Sequence, residues 1–371
     1  MIKRLIKNTD FWMIAAVITL FVIGTFGIFS ANYTSEFGKT EYIKNIAWFF
    51  IGAVLAVIIW SIDYNALGEL SYIIIPIFIL LLIGVLFMPP IHNARSWYKI
   101  GSFLFQPAEA LKIFFILGLG KFIEFISQSD RQGINRPLNL FIILCCVGAL
   151  VTLIAIQPDF GTAFVYIIIM LFMLFRAGIN YKYIIGTIII ALILIPIVYF
   201  LILSPVQQNR IKVFLDPTLD PSGSGYHAVQ SKIAVGSGML TGSGFLKGTQ
   251  TQYGFLPVKS SDFIFSVISE EFGFIISSIV ILLEGFILLR MIHIASISKD
   301  FYGSLVASGV VGMFFFHIFE NIGMTMGIMP ITGIPLPFVS YGGSAMLTNM
   351  MALGLVLGIG ARRENKFFMN N

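Results

Sequence analysis

Stretches of about twenty mostly apolar residues recur along this chain, each long enough to cross the roughly 30 Å hydrocarbon core of a bilayer as a helix. Seven are unbroken: 11–30, 43–62, 70–88, 138–156, 182–203, 263–289 and 302–325. Three more are less regular. Residues 108–126 carry Glu109, Lys112, Lys121 and Glu124, residues 160–175 are few, and 341–360 are rich in Gly and Met. Together they predict an all-α polytopic membrane protein. The expected organisation is a single transmembrane domain over 1–371, with about ten helices and a large extracytoplasmic loop, 204–262, between helices 7 and 8. Only 11% of residues are charged, where a soluble domain carries roughly a quarter, and 57% are hydrophobic, more than one soluble core encloses. These values exclude a cytosolic enzyme, a disordered chain and a nucleic-acid module. Cys145 and Cys146 are adjacent within an apolar run, so they read as small packing residues and not as a staple or a zinc site.

The first apolar stretch follows Lys3, Arg4 and Lys7 but exceeds the usual secretory core, so it reads as a retained anchor. Basic residues set the orientation. With the N-terminus inside, the cytoplasmic segments hold twelve: Lys3, Arg4, Lys7, Arg131, Arg136, Arg176, Lys182, Arg290, Lys299, Arg362, Arg363 and Lys366. The short outer loops hold four, Lys39, Lys44, Arg95 and Lys99, and the long loop is exempt from the bias because of its length. Both termini are therefore expected in the cytoplasm. The long loop is punctuated by Gly and Pro, and HAVQSKIAV within it has the length of an interfacial helix.

Ionisable groups at membrane depth are costly and need a partner or a task. Glu109 and Lys112 share a helix face near its outer end, either as a neutralised ion pair or as functional groups. Lys121 and Glu124 repeat the spacing near the cytoplasmic end, where snorkelling accounts for them. Gln-Pro pairs at 106–107 and 157–158 each precede an inward-running helix, and Asp159 is placed to cap the second of these. Asp262 ends the long loop immediately before an apolar helix. There it is either another cap or a general base, partly desolvated yet reachable. Glu270 and Glu271, two turns deeper, cannot share a face, so one is expected to face the bundle and the other a loop or partner helix. Lys44, Arg95, Lys99, Arg210, Lys212, Lys232, Lys247 and Lys259 populate the outer side. They are scattered solvated bases or, beside helix N-termini, a cradle for a pyrophosphate. His92, His227, His293 and His317 occur singly, so no zinc site is expected, and no Walker, GxGxxG or GxSxG motif is present.

Five segments resemble the SEDS (shape, elongation, division and sporulation) family, in the family's order. They are ARSWYKIGSFLFQPAEALKI at 94–113, QPDFGTA at 157–163, FLDPTLDPSGSGYHAVQSKIAVGSG at 214–238, GTQTQYGFLPVKSSDFIFSVISEEFGF at 248–274 and NIGMTMGIMPITGIPLPFVSYGGSAMLTNMMALGLV at 321–356. GTQTQ and GMTMGIMP are more similar to the elongation branch than to the division branch. The resemblance implies a ten-helix bacterial inner-membrane peptidoglycan glycosyltransferase that polymerises lipid II. It makes Asp262 the essential carboxylate, puts Glu109 and Lys112 on the QPSE-x-x-K positions, and puts Lys44, Arg95, Asp159, Arg210 and Lys232 on or near polar positions of the same substrate cavity. It also implies a class B penicillin-binding protein as the transpeptidase partner, besides membrane lipid. No cofactor is encoded. A divalent cation, Mg or Mn, is compatible with the pyrophosphate charge but has no ligand cluster. The chain departs from the family pattern at Ala108, where Ser is usual, and at Val258 and Ser260, where Glu and His are usual. The loss of that Glu and His leaves Asp262 without those relay partners, with Lys259 available to the phosphate side. Lys112 and Arg95 are expected to stabilise the leaving pyrophosphate. A lipid II flippase or a non-catalytic scaffold for a penicillin-binding protein remain alternative readings.

Overall fold

The computed structural model describes residues 2–34, 40–91, 94–101, 103–129, 133–187, 189, 192, 200, 205–221 and 223–363. Lys39, His92, Arg131, Lys366 and most of the expected helix 182–203 lie outside the described residues, as does the side chain of Arg210.

A short helix, α1 (Ile2–Asn8), leads into α2 (Phe11–Ala31), which Asp10 caps by accepting from the Met13 N–H at 3.2 Å. α3 (Glu41–Ser61) and α4 (Tyr64–Val85) follow, then a hairpin of β1 (Tyr98–Ile100) and β2 (Phe103–Phe105), and then α5 (Pro107–Ser129), α6 (Pro137–Ala155) and α7 (Phe160–Arg176). Proline opens α5 and α6, where its missing N–H costs nothing. Asp159 caps α7 through the Thr162 N–H at 3.1 Å, the role read from sequence. The segment after 204 folds as α8 (Pro205–Leu215), α9 (Ser224–Ser237) and a single turn, α10 (Thr249–Gln252). α11 (Ile264–Ser296), α12 (Phe301–Met326) and α13 (Gly343–Ala361) complete the chain.

Seven described helices are long and apolar enough to span a membrane: α2, α3, α4, α6, α11, α12 and α13. α7 is shorter, and α5 carries the charges noted above. The fold is thus an all-α polytopic bundle. α12 and α13 form its hub, with 83% and 89% of their apolar windows buried, against 22% for α3 and α4, whose surfaces are left for lipid. Glycine allows the close approach: a Cβ on Gly354 of α13 would collide with the Ala56 carbonyl of α3. Cys145 and Cys146, expected as packing residues, are instead exposed on α6, because the buried face of that helix carries Ile143, Val147 and Leu150.

α11 is broken at Gly273, which sits at φ 75° and ψ −172°. The segment 239–244 docks into the break. The N–H groups of Ser243 and Gly244 donate to the Glu270 and Glu271 carbonyls at 2.9 and 3.1 Å, while those of Phe274 and Ile275 donate to the Met239 and Leu240 carbonyls at 2.9 and 3.2 Å. Backbone groups that the break would orphan are thereby satisfied. Only glycine fits, since a Cβ on Gly273 would collide with the Gly242 nitrogen.

The two acidic side chains before this break anchor the same loop. Glu270 accepts from the N–H groups of Gln250 and Thr251 and from the Thr251 hydroxyl, at 2.7, 2.9 and 2.7 Å. Glu271 accepts from the Ser30 hydroxyl of α2 at 2.6 Å and from Gln252 at 2.9 Å. At the opposite end of the bundle, Arg290 pairs with Asp10 at 2.6 Å, and Arg362 donates to the carbonyls of Trp60, Ser61 and Gly358. There too Lys121 bonds Asn65 and Glu124 and lies 4.1 Å from the Tyr302 ring centroid, so it is held within the bundle rather than merely snorkelling.

Candidate active site

The N-terminal ends of α3, α5, α7, α11 and α13 and the C-terminal end of α12 converge on one cavity of about 1220 Å³. Five helix starts at one place turn five positive dipole ends toward it, which favours an anionic guest. Glu41, Gln106, Asp159, Asp262 and Gly343 each mark one of those starts in the cavity wall.

Asp262 is held by its backbone while its carboxylate stays in the wall. The Asn321 side chain of α12 donates to the Asp262 carbonyl at 3.0 Å and to the Ile334 carbonyl at 2.8 Å, joining the turn at 258–262 to the loop after α12. The Ser340 hydroxyl donates to the Ser261 carbonyl at 2.7 Å, and the Tyr341 N–H to the Ser260 carbonyl at 2.9 Å. The Ser261 hydroxyl donates to Asp262 Oδ1 at 2.9 Å. Gly333 passes so close that a Cβ there would lie 3.2 Å from Oδ2. The cap residue of α11 is Phe263, with no side-chain cap, so Asp262 is not committed to the capping role weighed from sequence.

Five of the residues singled out from sequence, Lys44, Glu109, Asp159, Lys232 and Asp262, line this one cavity although they lie far apart in the chain. Asp159 also accepts from the Gln106 amide at 2.6 Å, so the two Gln-Pro segments meet in the cavity wall. Lys232 crosses the turn that closes α12, where Gly327, at φ 73°, makes room for its stem.

Two of the residues expected to face the leaving group are placed elsewhere. Lys112 is 1% exposed behind Glu109, bonded to Glu109 Oε1 at 2.5 Å and to His317 Nε2 at 3.1 Å, so its charge is spent inside the bundle. Arg95 is exposed outside the cavity wall and donates to the Leu86 carbonyl at 3.3 Å. Arg210 lies on α8, its side chain outside the described residues.

Lys259, read from sequence as available to phosphate, also lines the wall, and His227, Glu41 and Asn32 join it without having been assigned a role there from sequence. Lys259 donates to the Thr251 carbonyl at 2.8 Å; burial pulls its ammonium below the usual lysine range, opposed by the nearby carboxylates of Glu271 and Glu270. Burial likewise lowers His227, opposed by Asp220. Glu320, fully buried on α12, lies beside Thr332 and within electrostatic reach of Asp262. Only its placement in the membrane-embedded part of the sequence could have flagged it. Among the described residues no group of three His, Cys, Asp or Glu side chains is arranged to hold a metal ion.

The comparisons with known proteins agree with this architecture. A protein-family model described as "Cell cycle protein", covering FtsW, RodA and SpoVE, matches residues 9–365. The chain is 36% identical to "Peptidoglycan glycosyltransferase RodA" of Treponema pallidum (strain Nichols), over 97% of this chain and 99% of that protein. It is also 36% identical to "Peptidoglycan glycosyltransferase MrdB" of Escherichia coli (strain K12), over 96% and 95%. Among solved structures, a chain from a peptidoglycan synthase complex that coordinates polymerization and crosslinking superposes with a TM-score of 0.82 at 27% identity, covering 96% of this chain and 99% of that one. The rod shape determining protein RodA of Thermus thermophilus gives 0.69 at 25%, covering 96% and 98%. This multi-pass bacterial membrane protein therefore belongs to the FtsW/RodA/SpoVE family.

Proposed function

We propose that Asp262 is the general base with which this peptidoglycan glycosyltransferase polymerises lipid II. In the reaction the 4-hydroxyl of an acceptor lipid II attacks the anomeric carbon of a lipid-linked donor. The new C–O bond forms as the bond to the undecaprenyl pyrophosphate breaks, that electron pair leaving on the phosphate oxygen, and Asp262 takes the hydroxyl proton. The observation that carries the reading is a partly exposed carboxylate, fixed from behind by Asn321 and Ser261, in the wall of a cavity ringed by helix N-termini. Lys44, Lys232 and Lys259, together with those dipoles, supply the positive field for the departing pyrophosphate. Glu109 and Asp159 offer acceptors to the sugar. Lys112 and Arg95 contribute through the surrounding structure and not by contact with the leaving group.

The Lys and Arg distribution supports an orientation with both termini cytoplasmic and the cavity on the outer face of the cytoplasmic membrane, where a lipid-linked disaccharide would be consumed. A class B penicillin-binding protein fits as the partner that crosslinks the product, since one structural relative works in a complex coordinating those two steps. The test is polymer formation from purified lipid II, with and without that partner. Asp262→Asn is expected to remain folded and form no glycan strands; polymerisation at the wild-type rate in this variant refutes the assignment.

A further inference from the structure

At the cavity wall three ionisable side chains from two helices form a chain of which the mechanism above uses only the outermost, Glu109. Glu109 stands in the first turn of α5 and lines the cavity at 4% exposure, followed inward by Lys112 and then by His317 of α12, which is wholly buried. The Lys112 ammonium reaches Glu109 Oε1 at 2.5 Å and His317 Nε2 at 3.1 Å. An ammonium has only protons to give, so His317 Nε2 must be the bare acceptor nitrogen, which places the ring proton on Nδ1. A neutral lysine would reverse that bond but would leave the Glu109 carboxylate buried without a countercharge, the costlier arrangement. Glu109 Oε2 has no hydrogen-bond partner among the described residues.

We propose that His317 is a positioning residue for Glu109: by accepting from Lys112 it aims that ammonium at Oε1, leaving Oε2 as the acceptor for a hydroxyl or amide N–H of the bound sugar. One helical turn further along α12, on the same face, Asn321 holds the backbone of Asp262. A single helix thus sets both the base and the sugar-binding acceptor, and fixes the distance between them. The inference rests on the glycosyl-transfer reading, which is what brings a sugar hydroxyl or amide to Oε2.

The test is lipid II polymerisation kinetics and detergent melting of the purified full-length protein. His317→Leu removes the acceptor, and its KM for lipid II is expected to rise roughly tenfold, the scale of one hydrogen bond to a charged group. His317→Gln places an amide oxygen near the site of Nε2 and is expected to keep KM within about threefold. A role in packing alone predicts the opposite ranking or none, since leucine fills an apolar site better than glutamine does. A wild-type KM in a folded His317→Leu, or equal impairment in both variants, overturns the proposal. Should His317→Leu fail to fold, His317→Met takes its place with the same expected rise in KM, a wild-type KM in it overturns the proposal, and so does a tenfold rise in the KM of His317→Gln. Asp262→Asn measured alongside separates the two claims. If that variant is inactive while the His317 variants behave like wild type, only the positioning role falls; if it polymerises at the wild-type rate, the assignment of Asp262 as base falls and the His317 variants are judged by themselves.

Discussion

Two glycines in the loop after α12 control the site at the scale of single residues, and they separate substrate binding from base placement. Gly327 sits in the left-handed region beside the Lys232 stem, and Gly333, at φ 80°, lies against the Asp262 carboxylate. An alanine at either costs roughly 1–2 kcal/mol in backbone strain, so both variants should melt somewhat lower. Their kinetics should differ. Gly327→Ala displaces a lysine assigned to the pyrophosphate and is expected to raise KM several-fold, whereas Gly333→Ala crowds the base and is expected to lower kcat. Equal patterns in steady-state polymerisation would contradict this division. Asp262, Asp159 and the Glu109–Lys112 pair were legible in the sequence because each is an ionisable group at the start of an apolar helix, a position that is costly without a reason. His317, Glu320 and Asn321 were not, since an isolated polar residue in a glycine- and phenylalanine-rich helix gives no sign of which neighbour it will meet.

At the scale of elements, the break in α11 joins the loop that ends at Asp262 to the membrane-embedded bundle. Gly273→Ala would drive a Cβ into the backbone of Gly242, a contact no rotamer change relieves, and is expected to destabilise the protein by several degrees in a detergent melt. A Cβ on Gly285, on the same helix, would meet nothing within 4 Å, so Gly285→Ala is the control and is expected to stabilise by roughly 0.5–1 kcal/mol. A Gly273→Ala protein as stable as wild type would show that the loop is not seated in the break. The sequence placed α2, α6, α7, α12 and α13 to within a few residues, because an apolar run bounded by Asp caps, Pro or Gly states its own limits. It held no sign of the interruption in α11, whose residues on either side of Gly273 read as one continuous apolar helix. It anticipated the two adjacent glutamates only in part: they do diverge, yet both end up on the same loop, one on its backbone and the other bridging it to α2.

For the whole molecule, the polarity is one-sided. Helix starts, acids and lysines gather at the cavity end, while Arg290 with Asp10 and Arg362 with Trp60 and Ser61 tie the other end together. An enzyme working at the cavity end needs no opening at the tied end, whereas a carrier exposing its site alternately to each face does. In a protein with Cys145→Ala and Cys146→Ala, joining Asp10→Cys to Arg290→Cys with a short, reductively cleavable bis-thiol crosslinker is therefore expected to leave polymerisation of lipid II within about twofold of the uncrosslinked form. Loss of activity on crosslinking, restored by reductant, would show that this end must move. What the amino-acid sequence determined by itself was the solvent and the elements, because the match between an apolar run and bilayer thickness is a local property of twenty neighbouring residues. The tertiary structure alone decided which charges reach the cavity. Lys112 turned inward to His317 and Lys232 was let in by Gly327, because the direction of a side chain on a helix depends on how that helix is rotated against partners distant in the chain, while Arg95, in the segment before β1, bonds back to Leu86 and stays outside the wall.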